Sequence, residues 1–199
     1  MHMMKHWIAA VALAAIAMPA AAATVGQPAP AFSVAASNGN NVSLSDYRGR
    51  TVVLEWTNPE CPFVQKYAAS GALQELQAEA RKNDVVWLTV NSAGAGKAGN
   101  LSASAANAAL RAQGAMPTAY LLDGDGAMAR AYGARSTPQL FVIAPDGNIA
   151  YAGGFDDLPS ADPADIARAK PLLKQALADV AAGRAVATPN GRAYGCSIK

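Results

Sequence analysis

At 199 residues the chain is long enough for one domain with a sizeable core and short for two, and 52% of its residues are hydrophobic. Its 16 basic and 14 acidic residues leave a formal net charge of +2. With no long basic run, the composition argues against a nucleic-acid partner or a phosphate-reading surface.

The first segment reads as a leader. Lys5 and His6 precede the apolar stretch "WIAAVALAAIAM", which is too short to span a bilayer, and "PAAAA" supplies the small residues a signal peptidase needs. The expectation is a signal peptide over residues 1–23, cleaved after Ala23 or a residue either side, with a retained anchor as the alternative. Residues 24–199 would then be the mature domain, exported without a membrane anchor, in a periplasm if the source is bacterial. Disulfides persist there. Both histidines, His2 and His6, leave with the leader. A mature chain without histidine has no Ser-His-Asp or Cys-His mechanism and no His-ligated zinc site. The strong nucleophiles that remain are Cys61 and Cys196.

In chain order, a Pro-rich segment leads into "FSVAASNGNNVSLSDY", which alternates around an Asn-Gly-Asn-Asn turn and predicts a short hairpin. "GRTVVLEWT" predicts a buried strand. Pro62 to Lys82 predicts a helix weakened at Ser70 and Gly71. "DVVWLTVNS" is the next buried strand, "AGAGKAGN" a loop, and "SASAANAALRAQG" a helix stopped by Gly114. "TAYLLD" follows as a strand, "GDGAMARAYGA" as a short helix, and "PQLFVIAPDGNIAYAGG" as a hairpin around Asp146 and Gly147. "ADPADIARAKPLLKQALADVAAG" reads as a final amphipathic helix ended by Gly183, with Pro171 forcing a kink or a break. Alternation of strand and helix predicts an α/β architecture, a mixed central sheet with helices on both faces and the late hairpin antiparallel at one edge.

Cys61 follows a buried strand by a short loop and precedes Pro62, a residue favoured in a first helical turn. A thiol at a helix N-terminus faces unpaired backbone N–H groups and the positive end of the helix dipole, which favour thiolate. Glu60 opposes this if it points inward. The bland alternative is a buried, inert cysteine. Further along, Thr137-Pro138 stands immediately before a buried strand and reads as a fixed turn, its isomer undecided by sequence.

"VGQPAPAF", "VSLSDYRGRTVVLEW", "ECPF", "STPQLFVIAPDGNIAY" and "YGCSIK" together resemble the redoxin family, the alkyl hydroperoxide reductase/thiol-specific antioxidant group, in its peroxiredoxin-like branch. The resemblance implies a thioredoxin-like fold, with Thr137-Pro138 as a cis-proline turn beside the Cys61 thiol. The departures from the family's patterns matter as much. Thioredoxins carry Cys-x-x-Cys, and here Val64 holds the second position. Asn58 stands where related proteins carry an additional cysteine. The peroxiredoxin Pro-x-x-x-Thr/Ser-x-x-Cys pattern meets Leu54 and Asn58, and its arginine aligns with Pro138. Arg135 lies nearby.

Two cysteines in an oxidising compartment are simplest to read as a Cys61–Cys196 pair. The tail around Cys196, expected to be mobile or laid along the surface, makes that bridge either a permanent staple or a resolving thiol carried to Cys61. Pairing with another chain is a third reading. Cys61, Cys196, Thr137 and Pro138 are therefore the expected site, with Glu55 (a proton shuttle on the buried strand), Asn58 and Arg135 as supporting candidates. Arg48, Arg50, Lys66 and Arg135 are expected to be solvated, although Lys66 or Arg135 could raise the thiolate fraction. Trp56, Phe63 and Phe141 are expected in the core or the site wall, and Asp123, Asp125 and Asp146 in turns rather than a calcium loop.

The leading functional expectation is exported thiol–disulfide exchange with a protein or small-thiol partner and an electron donor of unassigned identity. The alternatives are a thiol peroxidase acting on peroxides and a non-catalytic, disulfide-stapled binding module. No cofactor is expected, because sulfur carries the chemistry.

Overall fold

The computed structural model describes residues 22–198, so the expected signal peptide, apart from Ala22 and Ala23, lies outside the described residues. Among the described residues, no helix is long and apolar enough to cross a membrane.

Val52–Trp56 (β3) is the central strand, with every residue buried. It runs parallel to Val86–Asn91 (β4), which runs parallel to Ala119–Leu122 (β5). On its other side it is antiparallel to Gln139–Ile143 (β7), which turns back into Ile149–Gly153 (β8). The sheet order is β5-β4-β3-β7-β8. A strand flanked on both sides and covered on both faces reads as a continuous apolar run, which is why "VVLEW" shows no alternation. The hairpin expected near the start is Ser33–Ala35 (β1) against Asn41–Ser43 (β2).

The two faces of β3 separate the core. Val52, Leu54 and Trp56 pack with Phe141 and with Tyr132 of the short helix Ala127–Tyr132 (α4), and the β1–β2 hairpin lies on this side. Val53 points the other way, to Tyr67, Leu73 and Leu173. Those residues belong to Pro62–Ala69 (α1), Ala72–Lys82 (α2) and Leu172–Ala181 (α5). Helices therefore cover both faces, as the sequence predicts. A further helix, Ala103–Gln113 (α3), is closed by Gly114 in the left-handed conformation.

Two expected helices are shorter than their patterns. The Pro62–Lys82 segment is two helices, because Gly71 adopts φ 85° and breaks the hydrogen-bond ladder between α1 and α2. The last segment is divided as well. A 3-10 turn over Pro163–Ala167 is capped by Asp162, and Pro171 sits at the N-cap of α5, where its missing N–H leaves no helical bond unmade. Gly183 ends α5 as expected, its N–H reaching Val180 O while Arg184 N–H reaches Asp179 O.

The sheet's open edges are both covered. Ser37 N–H donates to Tyr120 O of β5, and Ala152 of β8 exchanges bonds with Pro189 and Gly191 of the tail. The tail contact is close: a Cβ on Gly153 would meet the Gly191 backbone at 2.7 Å.

Candidate functional site

The short loop after β3 delivers Cys61 to the N-cap of α1, with extended backbone (φ −80°, ψ 122°) and Pro62 at the first helical position. Asn58 shapes this loop. Its Oδ1 accepts from Glu60 N–H at 2.9 Å, its carbonyl accepts from Cys61 N–H at 3.0 Å, and its Nδ2 donates to Ala98 O. Gly99 passes Asn58 so closely that a side chain there would overlap it. Glu60 is exposed, and its Oε1 accepts from Gly99 N–H at 3.0 Å, so this carboxylate is engaged by another loop.

Cys61 is 2% exposed and bonded to Cys196, with the two Cα atoms 5.9 Å apart. The Thr137–Pro138 peptide is cis, and Thr137 O lies 3.1 Å from Cys61 Sγ. When the bridge is reduced, this carbonyl is positioned to accept from the S–H, opposing the thiolate preference of the helix N-terminus. Ser136–Thr137 (β6) also pairs with the tail strand Cys196–Ser197 (β9), antiparallel, with Thr137 opposite Cys196. The tail is thus laid down as a strand on the turn that faces Cys61.

A cluster that the sequence reading missed fixes the tail from the side. Lys66, expected to be solvated, is 1% exposed and pairs with Asp156 at 2.7 Å, the carboxylate being equally buried. Helix α1 turns Lys66 inward, and Asp156 follows β8 on the neighbouring segment. Tyr67 donates its hydroxyl to Asp156 Oδ2 at 2.5 Å, and Tyr194 donates to Asp156 Oδ1. Lys66 Nζ also reaches Tyr194 Oη at 3.3 Å. Burial beside this carboxylate pushes both tyrosine pKa values well above the usual range. The Tyr194 ring meets Phe63 edge-on at 5.7 Å. A tyrosine two residues before the tail cysteine, in a segment otherwise small or polar, was the available signal.

The supporting candidates fall in different places. Glu55 is fully buried on the same face of β3 as Val53, accepting from Trp87 Nε1 at 2.7 Å and Thr89 Oγ1 at 3.2 Å. Burial raises its pKa to about 7, against the smaller lowering effect of the two hydrogen bonds. It lines a small cavity with Pro59 and Val64, on either side of Cys61 in sequence. Arg135 is exposed. Its N–H donates to Gln139 Oε1 and its carbonyl accepts from Ile198 N–H, while the side chain lies in a surface depression with Lys97 and Arg130. Trp56 and Phe141 are core, and Phe63 is half-buried at the site. Asp123 caps α4 through Met128 and Ala129 N–H, and Asp125 and Asp146 sit in turns.

The buried Glu55 predicts a pH dependence of stability. Folded Glu55 keeps its proton to about pH 7, whereas in the unfolded chain it releases it near 4.5. The folded state binds more protons across that window, so Glu55's contribution is full below about pH 4.5 and is lost as pH rises through 7. The magnitude is on the order of 3 kcal/mol. Glu55→Gln should flatten this slope, as urea denaturation at pH 5 and pH 8 would show; an unchanged difference between the two pH values would contradict it.

The sequence profile of the AhpC/TSA family matches residues 25–152, well over half of the chain. The chain belongs to the AhpC/TSA family. The matched range includes Cys61 and stops short of the tail that supplies Cys196. Two solved structures resemble this redoxin along nearly their whole length. An uncharacterized conserved protein from Geobacillus kaustophilus is 26% identical at a TM-score of 0.75, covering 92% of this chain and 97% of that one. A hypothetical protein from Sinorhizobium meliloti is also 26% identical, with a TM-score of 0.74 and coverage of 90% and 96%. The thioredoxin domain of a thiol-disulfide oxidoreductase from Bacteroides vulgatus shares the fold at 18% identity and a TM-score of 0.53, covering 73% and 96%. The fold is thioredoxin-like. No curated protein matches this redoxin's sequence at a significant level.

Proposed function

We propose that this redoxin is a thiol–disulfide oxidoreductase in which Cys61 is the attacking thiol and Cys196 resolves. The observation that carries the reading is the bond between Cys61, at a helix N-cap beside the Thr137–Pro138 turn, and a cysteine on a C-terminal strand only 2 residues long. A thiolate at such a helix start is suited to attack, and a cysteine held on so short a strand is suited to leave and return. Cys61 attacks a partner disulfide, breaking its S–S bond and expelling one partner thiolate. Cys196 then attacks Cys61 Sγ and expels the other. Two electrons pass from the cysteine pair to the partner, and a dithiol donor restores the pair by the reverse exchange. Pro138 and Thr137 shape the surface against which the partner lies, and Glu55 is suited to exchange protons with the site as the thiols charge and discharge. The leader-like N-terminus and the disulfide support a location outside the cytoplasm, in a periplasm for a bacterial source.

The test is the Cys196→Ser protein mixed with an oxidised dithiol protein. A stable mixed disulfide on Cys61, found by mass spectrometry, is expected; its absence at any partner concentration would contradict the assignment.

The family match favours a second reading, a thiol peroxidase in which Cys61 becomes a sulfenic acid captured by Cys196. Leu54, Asn58 and Pro138 stand at the positions where peroxiredoxins carry proline, threonine or serine, and arginine. Steady-state peroxide consumption no faster than that of free cysteine is the expected outcome.

A further inference from the structure

Three consecutive tail residues each meet a separate feature of the surface around Cys61. The Tyr194 hydroxyl enters a socket formed by Asp156 and Lys66, with Phe63 against its ring. Gly195, at φ 138°, crosses the Thr137–Pro138 turn so closely that any Cβ would overlap the Thr137 carbonyl. Cys196 lies opposite Thr137 in the β6–β9 pair and meets Cys61. Flanking bonds continue the strand, with Ile198 N–H donating to Arg135 O at 3.0 Å and Thr137 Oγ1 to Cys196 O at 3.4 Å.

With this strand in place Cys61 is buried, so an outside disulfide reaches its sulfur only after the segment around Cys196 has left β6. The surface then uncovered keeps its three features at fixed spacing: a backbone edge, a passage too narrow for a side chain, and a charged socket for a phenol. An extended segment adding to such an edge gains main-chain hydrogen bonds, while pockets at set positions choose its side chains.

Resting on the exchange reading above, we propose that the tail is a copy, bound in cis, of the segment this protein exchanges with. The partner is a disulfide-bearing protein presenting an extended Tyr-Gly-Cys segment, its cysteine opposite Thr137 and its tyrosine hydroxyl held by Asp156 and Lys66. Cys61 attacks the segment's cysteine, and the partner's other sulfur departs as thiolate. Cys196 then returns to β6, displaces the segment from the same edge and bonds to Cys61, releasing the segment's cysteine as thiolate. Resolution and product release are one event, because tail and segment share one site.

The probes are three hexapeptides, Ala-Tyr-Gly-Cys-Ser-Ile and its Tyr-to-Phe and Tyr-to-Ala analogues, each as a mixed disulfide with thionitrobenzoate. The full-length Cys196→Ser protein is reduced and mixed with each, and thionitrobenzoate release is followed where the rate rises linearly with peptide. The tyrosine peptide should react about tenfold faster than the alanine one, with phenylalanine between, because a hydroxyl bonded to a buried charged pair is lost in the analogues. The full-length Tyr194→Ala/Cys196→Ser protein, its socket vacated, should react faster with all three in the same order. If that double variant does not fold, the series on Cys196→Ser still decides, since its docked tail opposes all three peptides equally. Rates within twofold of one another would overturn the groove assignment and leave the exchange reading standing. Rates no greater than those of free cysteine for every peptide would overturn both.

Discussion

Replacing Cys61 by serine is expected to reduce disulfide exchange by at least about a thousandfold, because a serine hydroxyl neither ionises at neutral pH nor forms a bond to sulfur. The comparison that gives this result meaning is Cys196→Ser. Both substitutions remove the same bridge, which spans 135 residues of sequence. In the chain-entropy account each would lose about 5 kcal/mol of stability. Any shared loss of activity therefore reports the staple, and the difference between them reports chemistry. Cys196→Ser should still capture a partner disulfide once, at close to the wild-type rate, and then stall as the mixed disulfide. Cys61→Ser should capture nothing. Single-turnover capture, followed by alkylation and mass measurement, separates the two. Equal single-turnover rates would remove Cys61 from its assigned role.

Asp156→Ala is expected to destabilise the fold by about 3–5 kcal/mol, measured by urea denaturation, because it leaves the Lys66 ammonium buried without its counter-charge. The side chains of this pair are 0% and 1% exposed, so water is not at hand to replace the lost partner. Tyr67 and Tyr194 lose their acceptor in the same step. Lys66→Met with Asp156→Asn removes both charges and leaves an amide oxygen for the tyrosines, so this double variant should lose less than Asp156→Ala alone. A cost below about 1 kcal/mol for Asp156→Ala would match an exposed ion pair and contradict the burial. The consequence reaches the sulfur chemistry as well. With the Tyr194 anchor gone the tail is held by fewer contacts, and closure of the Cys61–Cys196 bridge after oxidation should slow.

The α/β order and the strand-to-helix placement of Cys61 were legible because they rest on local signals. Continuous apolar runs mark β3 and β4, and Pro62 marks the first turn of α1. Gly71 and Pro171 were visible as weak points, yet whether each kinks or divides its helix depends on how the flanking turns pack. The Cys61–Cys196 pairing was readable from having only two thiols, but the antiparallel seat of Cys196 on Thr137 was not. It depends on a strand of 2 residues, too short for any periodicity. Lys66 was misread for a related reason. A lone lysine among apolar residues on one turn of α1 is ordinarily a solvent-facing residue, and only the partner 90 positions later, Asp156, makes its burial tolerable. Charge pairing across such a distance has no sequence signature. Tyr194 belongs to the same network: its place two residues before Cys196 was visible, but its acceptor, Asp156, was not.

The central claim is that the Cys61–Cys196 bridge cycles. Equilibrating the full-length protein with graded ratios of reduced and oxidised dithiothreitol, then trapping free thiols by alkylation and reading the mass, gives its reduction potential. A value in the range of exchange proteins, between about −120 and −270 mV, is the predicted result. A value below about −300 mV would mark the bridge as a structural staple and contradict the account.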